Sequence, residues 1–242
     1  MNCKNCERLV EGNFCPFCGQ STKVNKINFF YFLNELSGSI FQVNKGFFYT
    51  LKELFIRPGH SIRDYLSGKR KQHFKPIAYA LTLSTIYFIL AQLLGSQTFL
   101  NDASEGFFNY ESETGTSTSQ LAIFNWFTKH YAYTILMLLP IYALASYLVF
   151  LGAGYNYLEH FVLNSYITGQ QALLYSFISI GSFFTGKEDI LALVMLVTSM
   201  AYAFWFFWQF FSKQGRITAV LRSILVYILS IIMISLVALI II

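Results

Sequence analysis

Residues 190–211 read ILALVMLVTSMAYAFWFFWQFF, 22 consecutive positions without one charge. As a helix this stretch would be about 33 Å long, enough to cross the hydrocarbon core of a bilayer. Four more uncharged runs lie elsewhere, at 77–94, 131–151, 161–184 and 223–242. Five apolar runs of this length predict an all-α integral membrane protein with about five transmembrane helices. The composition agrees: 55% of the 242 residues are hydrophobic and 12% are charged. A soluble domain carries roughly 25% charged residues, so the chain lacks the polar surface that five buried core helices would need. Six spans would require sequence that the chain does not contain.

The charges are unevenly placed. Twelve of the seventeen Lys and Arg precede Pro76, against five acidic residues there, and the rest of the chain has a small acidic excess. The bias of basic residues toward the cytoplasmic side predicts a cytoplasmic N-terminus and, after five spans, an external C-terminus. Two loops fit this orientation. The 95–130 segment, expected outside, has Lys129 against Asp102, Glu105, Glu111 and Glu113. The 212–222 turn, expected inside, has Lys213, Arg216 and Arg222 and no acid. No apolar leader opens the chain. Three domains follow from this reading: a head at 1–22, a cytoplasmic interfacial segment at 23–75 and a membrane domain at 76–242.

All four cysteines fall in the head, as Cys3-Lys-Asn-Cys6 and Cys15-Pro-Phe-Cys18. Two C-x-x-C hooks this close together match a tetrahedral thiolate zinc site, and four thiolates leave no open position for a catalytic water. Zinc is therefore expected to be structural, supplying folding energy that about 20 residues cannot gain from a core. A disulfide pair would need an oxidising compartment, and a redox hook would need a βαβ setting. The weak basic character of Lys4, Arg8 and Lys23, offset by Glu7 and Glu11, falls short of a nucleic-acid footprint.

In the interfacial segment, Leu33, Leu36 and Ile40, and again Phe47/Phe48, Leu51 and Leu54/Phe55, recur at helical spacing. They predict two amphipathic helices, lying either on the membrane surface or as a hairpin packed on the head. Arg57-Pro58-Gly59 ends the second helix, and a short helix is expected over 61–66. Lys69, Arg70, Lys71 and Lys75 then form a basic cluster against the first span. It reads as a topology anchor contacting anionic lipid headgroups, or as a more specific phosphate contact.

The run Gly46-Phe-Phe-Tyr49 through Lys52-Glu53, Arg57-Pro58-Gly59, Ile62-Arg63-Asp64-Tyr65-Leu66, Gly68-Lys69-Arg70 and Phe74-Lys75-Pro76, together with a head ending Cys18-Gly19-Gln20, resembles an uncharacterised bacterial family. Its members are multi-pass membrane proteins with an N-terminal four-cysteine ribbon. The resemblance implies this architecture, a zinc ribbon and the bacterial inner membrane. It carries no activity and no catalytic residue.

The third span has a different texture. Tyr157, His160, Asn164, Thr168, Gln171, Tyr175, Ser179 and Ser182 recur at steps of three and four and share one helical face. Val162, Tyr166, Leu173, Phe177, Ile180 and Phe184 lie opposite, and Gln170 falls off the stripe. Such a stripe must face other helices or water, either as interhelical hydrogen bonding or as the wall of a polar cavity. A shorter stripe, Thr198, Tyr202, Trp205 and Gln209, is placed to face it. Glu159 and His160 admit a proton-accepting or metal-binding pair. The plainer reading puts Glu159 at a helix N-terminus and His160 in solvent. No nucleophile elbow, metalloprotease helix or phosphate loop is present. The leading functional expectation is a scaffold or adaptor whose head recruits a cytoplasmic protein partner. A transporter or channel-like protein moving a small polar solute or lipid along the stripe comes second, and a lipid-acting enzyme third.

Overall fold

A computed structural model describes residues 1–24, 26–29, 45–101, 125–186 and 190–241. Among the described residues, seven long α-helices carry the fold. They are α1 (Lys45–Ile56), α2 (Pro58–Ser67), α3 (Pro76–Leu94), α4 (Tyr131–Val149), α5 (Tyr157–Thr185), α6 (Leu191–Phe210) and α7 (Arg216–Ile241). Two isolated bridges in the head are the extended pairings among the described residues. The expected helix around Leu33, Leu36 and Ile40 and the acidic outer loop lie outside the described residues.

Among the described residues, four helices are long and apolar enough to cross a membrane: α3, α4, α6 and the Arg216–Ala238 part of α7. The third uncharged run is also helical, as α5, but its polar content keeps it out of that group. Its position in the bundle explains why. α5 packs against α3, α4 and α6, and every residue from Glu159 to Gln170 is buried. A helix covered on all sides by protein needs no lipid-compatible face at that level. The single polar stripe with an apolar back therefore gives way there to burial all round. Tyr166, on the supposed back, is fully buried and donates its hydroxyl to the Phe74 carbonyl at 2.6 Å. Gln170, off the stripe, accepts from the Tyr79 hydroxyl. The apolar face returns in the second half, where Phe177, Phe183 and Phe184 are exposed.

Gly169 sets the closest crossing in this core. A Cβ there would lie 2.6 Å from Tyr79 Cδ1 and 3.2 Å from Ala80 Cα, so only glycine lets α3 and α5 approach this far.

The start of α5 is fixed locally. Asn156 accepts from the Glu159 N–H at 2.9 Å, and the Glu159 carboxylate accepts from the Asn156 N–H at 2.9 Å. This reciprocal capping box satisfies two otherwise orphaned donors. α7 begins at Arg216, earlier than the run at 223–242 suggests. The turn before it is a single 3₁₀ segment, Ser212–Gln214, and Gly215. Arg216 and Arg222 are thus helical residues; Arg222 donates to Gln214 Oε1 at 2.7 Å.

The α1–α2 pair packs on one end of the bundle. Leu54, Ile62 and Tyr65 are almost completely buried, while Phe48 and Ile56 stay exposed. Neither sequence expectation, surface helices or a hairpin on the head alone, includes this contact with the membrane helices. The α6 stripe serves it. Tyr202 donates to the Leu54 carbonyl at 3.2 Å, and Gln209 Oε1 accepts from the Gly59 N–H at 3.2 Å. Tyr202 and Gln209 therefore face α1 and α2 and not α5. Arg63 completes the joint by donating to the Gln209 and Phe210 carbonyls at the C-terminal end of α6. Those carbonyls lack helical partners.

Candidate functional site

The head is built from one unit used twice, twelve residues apart. Cys3 N–H donates to the Arg8 carbonyl and Glu7 N–H to the Cys3 carbonyl, at 2.9 and 2.8 Å. Cys15 N–H donates to the Gln20 carbonyl and Gly19 N–H to the Cys15 carbonyl, both at 2.8 Å. The bridges Asn2–Leu9 and Phe14–Ser21 obey the same shift. Each unit places its fifth position in left-handed backbone, at φ +63° for Glu7 and +69° for Gly19. Glycine suits that conformation, and glutamate carries a cost there of about 1 kcal/mol.

The two loops bring four free thiols together. All four Sγ atoms lie within 4.8 Å of one another and could hold a metal ion. Cys3 and Cys18 Sγ are 3.6 Å apart, and Cys6 and Cys15 Sγ are 3.5 Å apart. A tetrahedral site with metal–sulfur bonds of about 2.3 Å has sulfur–sulfur edges of about 3.8 Å, so the donor set fits a metal closely. The thiols compete for protons. Burial pushes Cys15 up, but N–H groups of Cys18 and Phe17 and the Cys6 and Cys18 thiols outweigh it and bring Cys15 down to about 6. For Cys6, hydrogen bonding at Arg8 pulls down, but burial and the three other thiols raise it to about 11. Thiolate ligation must therefore displace protons, and affinity falls as pH falls.

Gln20 joins the head to the helices. It is buried, donates to the Gly68 carbonyl at 2.8 Å and accepts from the Arg70 and Lys71 N–H groups, both at 3.1 Å. One side chain thus satisfies three backbone groups in the turn after α2. A second strut, Asn156 to the Ile27 carbonyl at 3.2 Å, ties the following segment to α5.

This use of the backbone bears on the basic cluster. Lys69 lies 3.8 Å from both Glu7 and Asp64, and Arg70 donates to the Tyr65 carbonyl at 3.3 Å. Both are half-buried, while Lys71 and Lys75 are exposed. His73, between Tyr49 and Tyr65, has Nδ1 2.9 Å from the Lys69 carbonyl and Nε2 3.0 Å from Ser61 Oγ. Because a carbonyl only accepts, Nδ1 carries the proton and Nε2 accepts from the serine. Burial lowers the His73 pKa from its ordinary value.

The α5 stripe divides into three parts. At the start, Tyr157 donates to the Pro140 carbonyl at 3.2 Å. Next, His160 Nδ1 lies 3.0 Å from Ser146 Oγ, and Asn164 Nδ2 donates to Ser146 Oγ and the His160 carbonyl, both at 2.8 Å. His160 is thus 1% exposed, not solvated. The Glu159 carboxylate is committed to the Asn156 N–H, so the two neighbours do not form a pair. Ser146 was missed in the sequence because one serine in an apolar run carries no periodic signal.

Farther along, a cavity of about 350 Å³ opens between α4, α5, α6 and α7. Asn164, Thr168, Gln171 and Tyr175 line it from the stripe, with Ser199 of α6 and Tyr227 of α7 across from them. Gln171 Nε2 lies 3.2 Å from the Ser199 carbonyl and 3.3 Å from the Tyr227 hydroxyl. Tyr157 and His160 do not line it.

Residues 44–88 match the model of a family described as a protein of unknown function, DUF3667. The matched span takes in α1, α2 and the first part of α3, including Gly59, Arg63 and the Gly68–Lys71 turn. The four cysteines, the stripe and the cavity lie outside it. No curated protein and no solved structure matches the chain.

Proposed function

We propose that this is a multi-pass protein of the bacterial inner membrane that works as an adaptor, its cytoplasmic head held by one structural zinc ion and recruiting a protein partner. The observation that carries this reading is the way the head is mounted. Gln20 clamps it on one side, while Leu9, Phe14 and Phe17 stand 71%, 67% and 61% exposed elsewhere on the same small unit. A rigidly held unit with large exposed apolar side chains resembles the centre of a protein interface more than an ordinary surface. Zinc is the metal of choice for four close thiolates in a small domain.

The membrane placement has its own support. α5 runs among three apolar helices and turns apolar in its second half, which favours five spans. The head, α1–α2, the Lys69–Lys75 cluster and the α6–α7 turn with Lys213 and Arg216 gather at one end of the bundle, and a basic end favours the cytoplasm. Lys71 and Lys75 are the side chains of the cluster best placed for anionic lipid headgroups.

The test is copurification from detergent-solubilised membranes. Wild type should retain a partner that is lost in both Phe14→Ser/Phe17→Ser and Cys3→Ser/Cys6→Ser, with all three proteins still inserted. Unchanged partners after the metal site is removed would sink the adaptor reading.

A further inference from the structure

The cavity between α4, α5, α6 and α7 holds polar groups that the fold does not use. Asn164 and Thr168 are 6% and 8% exposed and both line the cavity. The Asn164 amide orientation is fixed, because its Nδ2 donates to the His160 carbonyl. Its Oδ1 therefore faces away from that bond and accepts none among the described residues. The Thr168 hydroxyl likewise has no hydrogen-bond partner among the described residues. Gln171 repeats the pattern: Nε2 points at the Ser199 carbonyl, which leaves Oε1 without a partner among the described residues. These groups open onto the cavity without a partner from the protein, and they cluster along one wall; left unpaired, such groups cost free energy.

The remaining wall narrows the chemistry. It carries no Lys, Arg, His, Asp or Glu, and most of it is aliphatic or aromatic, from Ile135 and Leu138 to Val226 and Ile234. Leu196 and Ile231 line the cavity and are also exposed on the outer surface of the bundle, so the space reaches the lipid-facing side between α6 and α7. Its volume equals about a dozen water molecules at liquid density. Water would serve the polar wall but not the apolar one.

We infer that this cavity binds an uncharged amphiphile from the bilayer whose head both donates and accepts hydrogen bonds: a lipid alcohol. A hydroxyl donates to Asn164 Oδ1 or Gln171 Oε1 and accepts from the Thr168 hydroxyl. A carboxylate or phosphate head has no cation to meet and faces the same amide oxygens with its own. A ketone head can accept from Thr168 but leaves Asn164 Oδ1 unsatisfied. The apolar body lies along α6 and α7, with the gap at Leu196 and Ile231 as its way in. This assignment stands on the cavity alone and does not depend on the metal head or its partner.

The experiment uses the full chain in nanodiscs and radiolabelled 1-dodecanol. Saturable binding of one molecule per chain is expected, displaced by unlabelled 1-dodecanol and by monoacylglycerol but not by dodecanoate or dodecane. Thr168→Val, which keeps the side-chain shape, should weaken binding by about tenfold. Ala203→Leu, which adds bulk to the wall, should abolish binding while the thermal unfolding of the chain in nanodiscs stays unchanged. Absence of saturable dodecanol binding, as for a cavity holding only water, would overturn the assignment. So would equal displacement by dodecanoate, or full-strength binding by both folded variants.

Discussion

His73 shows how one residue links the pH scale to the membrane-proximal structure. Its neutral form is fitted to two partners, donating to the Lys69 carbonyl and accepting from Ser61, in a pocket of tyrosines. Protonation would take the acceptor from Ser61 and place a charge in that pocket. Burial holds the folded pKa below its ordinary 6.5, so the unfolded loop binds the proton more readily. The stabilisation is therefore complete above about pH 6.5 and is lost as pH falls toward the folded value. The protection factor across 69–74, taken relative to the intrinsic exchange rate at each pH, should fall between pH 7 and pH 5 in wild type and be far less pH-dependent in His73→Gln. Protection that rises on acidification would contradict this sign. Gly59 makes a different point about single residues. A Cβ there would overlap the Phe210 nitrogen, so Gly59, the second residue of α2, permits the close contact with α6, while the change of chain direction falls at Arg57 and Pro58. The sequence displays the break; the contact depends on Gln209 and Phe210, far away in the chain.

Among the elements, α5 decides how the bundle is built. Replacing Gly169 with valine should push α3 away from α5 and cost at least about 2 kcal/mol, as overpacking of a tight core does. Gly181→Ala, on the same helix but with open space around it, should change stability little. Unfolding of both variants in mixed micelles reads this directly, and equal stability would refute the close crossing. This helix also shows where sequence reading succeeds and stops. Its polar period was legible because steps of three and four place side chains on one face whatever lies around it. Its burial from Glu159 to Gln170 was not, because that depends on which helices surround it. Tyr79, Ser146 and Tyr166 acquire their polar roles from partners distant in the chain, and no local pattern announces them. The α6 stripe was legible as a stripe, but Tyr202 and Gln209 turn to α1 and α2. The four cysteines needed no such context, since close C-x-x-C hooks allow few other geometries.

For the whole molecule, uneven charge and uneven apolarity describe one arrangement. Most of the basic residues gather with the head, α1, α2 and the α6–α7 turn at one end of a bundle of long helices, four of which, among the described residues, are apolar enough to cross a membrane. Gln20, Arg63 and Asn156 hold those parts together by reaching backbone groups in different elements. Such joints would make the head an extension of the bundle more than a tethered module. A photocrosslinking residue at Phe17, in full-length protein in intact cells, tests the adaptor reading most directly. The account predicts a crosslink to a discrete cytoplasmic protein that disappears when Cys3→Ser/Cys6→Ser removes the metal site. Crosslinks to lipid alone, or a protein adduct indifferent to the loss of the cysteines, would contradict it.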